Sequence, residues 1–127
     1  MIVVDNNLIV AYTVKTAETA TAEAVEKKDS EWVAPPLWES EYRSAMIGLM
    51  RAGKIGMPTA IAAHAIATQM VQSLSVSTSA VLRLAESHGL TAYDAEYAAL
   101  AEWLEIPCLS FDTDLLKVGL ATHPKDF

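Results

Sequence analysis

The sequence holds a single cysteine, Cys108, so it forms no internal disulfide and no cysteine-based zinc site. Nothing in it asks for an oxidising compartment. No uninterrupted apolar run approaches the ~18 residues of a membrane span. The N-terminal apolar run is cut short by Asp5, before a signal-peptide core can build. The expectation is a cytoplasmic protein with no membrane partner. Basic residues are also scarce, with 9 Lys and Arg against 16 Asp and Glu and a net charge of −7. That balance argues against gripping a nucleic acid by charge alone, but leaves room for reaching phosphates through bound cations. At 127 residues the chain suits a single domain, 1–127, with a real core. Its charge content, 20% beside 52% hydrophobic residues, is too low for a disordered chain.

What is present alternates short β-branched runs with helical stretches. Ile2-Val3-Val4 reads as a buried strand ending at Asp5, followed by a helix from about Asn7. A second helix is expected over Thr19–Lys28, and a strand over Glu31–Ala34 is closed by Pro35-Pro36. A long helix, Leu37–Ala52, stops at Gly53, and Pro58 suits the first turn of the next helix, to about Val71. Leu74–Ser77 is expected as a strand, then helices over Ser79–His88 and Thr91–Glu105. Cys108–Phe111 reads as a strand, Thr113–Val118 as a short helix and Leu120–Thr122 as an edge strand. Strands alternating with helices imply an α/β fold with a parallel sheet. The functional crevice of such a sheet lies beyond the carboxyl ends of its strands. Asp5 and Asp112 each follow an apolar strand and should point there.

Each candidate acid also has an ordinary structural explanation. Asp5 and Asp112 could simply cap the helices that follow them. Glu41 lies at the edge of the apolar arc of its helix, Trp38, Tyr42, Ala45, Met46 and Leu49, where a surface carboxylate is common. Asp94 stands three residues after Thr91, the spacing of a capping box. The apolar face of its helix is read as Leu90, Tyr93, Tyr97, Leu100, Ala101 and Leu104, with Asp94 beside it. Together the four say more. Carboxylates converging at one sheet end repel by about 3 kcal/mol per pair at roughly 5 Å and an effective dielectric near 20. A bound cation relieves that cost, and all-oxygen ligands suit Mg²⁺ or Mn²⁺. His64, His88 and His123 lack a ligand spacing and read as structural or surface groups.

These segments resemble the PIN-domain family, and most closely the VapC-type toxins of toxin–antitoxin pairs. The resemblance is carried in order by Ile2-Val3-Val4-Asp5-Asn6-Asn7, by Pro36 to Ala45 around Glu41, by Leu90 to Ala101 around Tyr93-Asp94-Ala95, and by Ile106 to Asp112. Two departures stand out: Ser44 where Asn is commoner, and Phe111 where a small residue precedes the last Asp, with Asp114 a second candidate acid. The resemblance implies a three-layer α/β/α fold with a short central parallel sheet. It implies hydrolysis of RNA phosphodiester bonds with Mg²⁺ or Mn²⁺, Asp5 and Asp94 binding the ion most directly and Glu41 and Asp112 completing the cage. Asn7 and Thr91 would orient those ligands. Arg43, Arg51 and Lys54 are candidates for contact with the RNA backbone, though a solvated face is the commoner use of Arg43. The family further implies a homodimer and a small antitoxin partner.

A phosphatase or a phosphoacceptor on a similar sheet fits poorly. A haloacid-dehalogenase-like site wants a second Asp two residues after Asp5, where Asn7 stands. A receiver domain wants paired acids at the first strand and an Asp after a mid-chain strand. The alternatives within the family are a catalytically silent binding module, or a nuclease that processes RNA outside toxin–antitoxin pairs.

Overall fold

The computed structural model describes residues 1–127. Strands β1 (Ile2–Val4), β2 (Trp32–Ala34), β3 (Val71–Ser73) and β4 (Cys108–Leu109) form one sheet in the order β3-β2-β1-β4, every pair parallel. Parallel neighbours cannot be joined by tight turns, so helices fill the connections and flank the sheet. These are α1 (Asn6–Thr13), α2 (Thr19–Lys28), α3 (Leu37–Arg51), α4 (Met57–Met70), α5 (Thr78–His88), α6 (Ala92–Leu104) and α7 (Thr113–Lys117). The architecture is the α/β sandwich expected from the sequence.

The central strands are buried on both faces, which is why they read as unbroken apolar runs and not as alternating ones. Helix α1 packs against α2, α3 and α4, while α6 packs on β1 and β4 and against α5. Trp32, Trp38, Tyr42 and Tyr97 are the largest fully buried side chains of the core. Burying each such group contributes roughly 1.5–3 kcal/mol. Helix α5 ends as its sequence suggests, with Gly89 in the left-handed region at φ 65°.

Three expectations need correction. The third strand is Val71–Ser73, not Leu74–Ser77. Val71, on the α4 side of the expected boundary, leaves the helix directly and pairs opposite Trp32, so its buried β-branched side chain belongs to the sheet. Only Thr122 of the expected strand Leu120–Thr122 pairs, in a single parallel bridge to Leu109. Tyr93 is not on the buried face of α6 but is 66% exposed. That helix instead buries the run Ala95 and Tyr97–Ala101, whose small residues let it lie close to both the sheet and α5.

Candidate functional site

The β1–β4 register places the first acid. Val4 lies opposite Leu109, so the next step along both strands sets Asp5 beside Ser110, and the Asp5 N–H donates to the Leu109 carbonyl at 3.0 Å. The Ser110 hydroxyl then donates to Asp5 Oδ2 at 2.6 Å. Asn7, one residue into α1, donates through Nδ2 to Ser110 Oγ at 3.3 Å and to Asp5 Oδ2 at 3.5 Å. Its Oδ1 accepts from the Phe111 N–H at 3.3 Å. Asp5 is the N-cap residue of α1 by backbone position, yet its side chain makes no capping bond. Its carboxylate is turned to the end of the sheet instead. Burial pushes the Asp5 carboxyl up to about 7, against the pull of the Ser110 bond, and the charges of Glu41 and Asp112 raise it further.

Asp112 ends the loop after β4. Its N–H donates to Ser110 Oγ at 2.9 Å, and its Oδ1 accepts from the N–H groups of Asp114 at 2.7 Å and Leu115 at 3.4 Å. It therefore caps α7, as the ordinary explanation holds, and the same cap fixes its carboxylate against the site. Asp94 enters from the first turn of α6. The Thr91 hydroxyl oxygen accepts from its N–H at 3.1 Å, so Thr91 is the capping side chain and the Asp94 carboxylate is left to its neighbours. One carboxylate oxygen each of Asp94, Asp112 and Asp114 lie within 4.8 Å of one another. Burial, then the charges of Asp112 and Asp114, raise the Asp94 carboxyl above its usual range, and hydrogen bonding to Thr91 opposes the rise.

Glu41 comes from α3. Its Oε1 accepts from the Tyr97 hydroxyl of α6 at 2.6 Å. Burial raises its carboxyl, the Tyr97 bond opposes the rise, and the charges of Asp94, Glu96 and Asp112 add to it. The charge of Asp112 raises Asp5, Glu41 and Asp94 alike, so it links the other three acids read from the sequence at the carboxyl end of the sheet. The tightest group is Asp94 with Asp112 and Asp114, whereas the family resemblance pairs Asp94 with Asp5.

Three contributors were not singled out from the sequence. Ser110 is a fully buried hydroxyl joining Asp5 to Asp112. Tyr97 holds Glu41, and Glu96 adds charge near it. The available signals were slight: Tyr97 follows Asp94 by three residues and so shares its helix face, and Ser110 stands one step past the strand. Arg43, Arg51 and Lys54 are exposed, and none pairs with an acid.

The donor set fits a hard divalent cation. No lysine, arginine or histidine forms an ion pair with Asp5, Glu41, Asp94, Asp112 or Asp114; the ion pair present is Met1–Asp29, and His64 hydrogen-bonds to Glu39. The cluster is uncompensated, and every ligand it offers is a carboxylate oxygen. Cys108 offers no soft alternative, because burial pushes its thiol far up and leaves it protonated. The histidines are engaged elsewhere: His64 with Glu39 and stacked on Trp38, His88 with Ser87, and His123 against Phe111.

A parallel α/β sheet with an uncompensated carboxylate cluster beyond its strand ends defines an acid-lined class of α/β domain. Residues 2–120 match the PIN domain family, and the chain belongs to it. Its fold is similar to that of PAE2754 from Pyrobaculum aerophilum, with a TM-score of 0.79 and 24% identity over 98% of this chain and 91% of that one. It is also similar to VapC20 of Mycobacterium tuberculosis, described as a sarcin–ricin loop cleaving toxin, with a TM-score of 0.68 and 20% identity over 94% and 95% of the two chains. FitAcB from Neisseria gonorrhoeae gives a TM-score of 0.66 and 17% identity over the whole of both chains. No curated relative of the sequence is found.

Proposed function

We propose that this chain is a metal-dependent endoribonuclease and the toxin of a toxin–antitoxin pair, working in the cytoplasm as a homodimer held in check by a small antitoxin protein. The observation that carries the catalytic part is the carboxylate cluster with no protein cation to balance it. Membership of the PIN family and the resemblance to a toxin named for cleaving an RNA loop support the substrate class.

In this reading Asp94 and Asp112 hold Mg²⁺ or Mn²⁺, with Asp5 and Glu41 completing the site and Asp114 adding a further carboxylate oxygen. A bound divalent ion polarises a phosphate and lowers the pKa of water at the site. The chain's own residues do the rest. Ser110 and Asn7 fix the Asp5 carboxylate, Tyr97 fixes Glu41, and the α7 cap fixes Asp112. Fixed ligands need no reorganisation as charge develops on the phosphate. No histidine or lysine lies in hydrogen-bond contact with these acids to serve as a base, so the nucleophile's proton leaves to a carboxylate or to solvent.

The experiment is cleavage of a set of structured RNAs by purified protein with Mg²⁺, with Mn²⁺ and with EDTA, beside an Asp5→Asn protein. Cleavage only with a divalent ion, absent from the variant, is expected. Cleavage that persists in EDTA, or none with either ion, rejects the enzymatic reading. Expression of the native locus tests the partner: an active nuclease with no co-purifying small protein points to RNA processing outside toxin–antitoxin pairs.

A further inference from the structure

Glu41 is held by one hydrogen bond, and its donor belongs to the core. Tyr97 is 1% exposed and packs in the main apolar cluster with the strand residues of β1 and β2. Its hydroxyl reaches Glu41 Oε1 at 2.6 Å, the sole hydrogen bond between α3 and α6. Because Tyr97 follows Asp94 by three residues, the same helix face that presents Asp94 also presents this donor. A close-packed ring cannot swing aside without repacking its neighbours, so the phenol is a fixed post.

A carboxylate has two oxygens, and here they are unequal. Oε1 is engaged by Tyr97 and Oε2 has no protein partner. We propose that Tyr97 is a positioning residue that makes Glu41 a one-oxygen ligand, and that this selects Mg²⁺ or Mn²⁺ over Ca²⁺. The inference rests on the metal-site reading above. The selectivity follows from coordination chemistry. Ca²⁺ accepts about six to eight oxygens at roughly 2.3–2.6 Å and often takes both oxygens of a carboxylate. Mg²⁺ demands a near-ideal octahedron at roughly 2.0–2.1 Å, in which a fixed single oxygen fills one position without crowding the next. With the phenol in place, Glu41 gives Ca²⁺ one contact where it would use two. Without it, the carboxylate turns freely and both oxygens become available.

The test is calorimetric titration of Mn²⁺ and Ca²⁺ into the wild-type protein and into Tyr97→Phe, which keeps the ring and removes only the hydroxyl. Melting curves in EDTA establish that both are folded. Mn²⁺ affinity is expected to fall about tenfold or more in the variant, the usual cost of losing a group that orients a ligand. Ca²⁺ affinity should hold or rise, so the preference for Mn²⁺ narrows. An unchanged Mn²⁺ to Ca²⁺ ratio in a folded variant overturns the proposal and leaves the metal site standing. A wild-type protein that binds neither ion overturns the metal reading and this proposal with it. If Tyr97→Phe does not fold, a Mn²⁺-loaded crystal structure of the wild type decides. One Glu41 oxygen on the ion with the Tyr97 bond kept supports the proposal, and two oxygens on the ion, or a broken Tyr97 bond, overturns it.

Discussion

The Ser110 hydroxyl donates to Asp5 Oδ2 at 2.6 Å, bridging residues 105 positions apart in the chain that lie side by side at the ends of adjacent parallel strands. The same oxygen accepts from the Asp112 N–H, so one buried hydroxyl serves two of the acids. Ser110→Ala strands the Asp5 carboxylate without its short donor. Hydrogen bonds to charged groups contribute about 1.5–3 kcal/mol, and urea unfolding at pH 8 in EDTA should show a loss in that range. Ser110→Thr, which keeps the hydroxyl, should recover part of it. A Ser110→Ala protein as stable as wild type would show that Asp5 does not depend on this bond.

Asp5→Asn should have the opposite effect on the metal-free protein. It removes a buried charge that Glu41 and Asp112 repel, so melting in EDTA at pH 8 should occur at the same temperature or higher. The rise in melting temperature that Mn²⁺ gives the wild type should shrink, since an ion that binds the folded state more weakly stabilises it less by mass action. Cleavage should fall by about two orders of magnitude. A variant that keeps its Mn²⁺-induced shift would remove Asp5 from the site.

The raised carboxyls predict a pH dependence with a definite sign. Asp5 titrates near 7 when folded, against 3.8 for an ordinary Asp, so the native state holds its proton more tightly than the unfolded chain. Stability from this source is fully present below about pH 4 and is lost as pH rises through about 7. Glu41 and Asp94 shift in the same direction. In EDTA the protein should therefore lose stability between pH 4 and 8. Mn²⁺, which competes with those protons, should stabilise it little at pH 5 and strongly at pH 8. Metal-free stability that climbs across this range would contradict the assignment.

Two substitutions separate the two roles of Asp112. Asparagine is as good a cap as aspartate, so Asp112→Asn should keep the bonds to the Asp114 and Leu115 N–H groups, and the fold, while losing the site charge. Asp112→Ala loses both and should cost about 1 kcal/mol more. Equal stability of the two variants in denaturant melts would mean that the α7 cap contributes nothing.

Glu105 ends α6 in the left-handed region at φ 55°, the one non-glycine residue with positive φ. That conformation costs a side-chain-bearing residue roughly 1–2 kcal/mol. Glu105→Gly should stabilise the protein by up to about 1 kcal/mol after the entropy of glycine is subtracted, with RNA cleavage unchanged. A destabilised variant would mean that the Glu105 side chain makes a compensating interaction.

The parts of the fold legible in the sequence are those marked by local chemistry. β1, β2 and β4 are short apolar runs that end at Asp5, at Pro35-Pro36 and shortly before Asp112, and α4, α3 and α5 are punctuated by Pro58, Gly53 and Gly89. The start of β3 is hidden in the sequence because α4 runs straight into it at Val71, with no glycine or proline to mark the change. An aromatic at a helical spacing reads as core, yet Tyr93, in the first turn of α6, lies in solvent. The four acids stand out one by one, but their distances depend on strand register and on how α6 meets the sheet. Ser110 and Tyr97 act through partners 105 and 56 residues away, which no local pattern reveals.

The pairing of β1 with β4 also sets the order of events during synthesis. The first acid emerges from the ribosome at residue 5 and the strand that completes its surroundings begins at residue 108, so Asp5 waits for nearly the whole chain. Contacts of such long sequence separation form late, because the loop between them must close before they repay its entropy. A nascent or C-terminally clipped chain lacking β4 presents Asp5 and Glu41 without Ser110, Asp112 or Asp114. The carboxylate cluster is thereby completed only after β4 and the segment that follows it have been made.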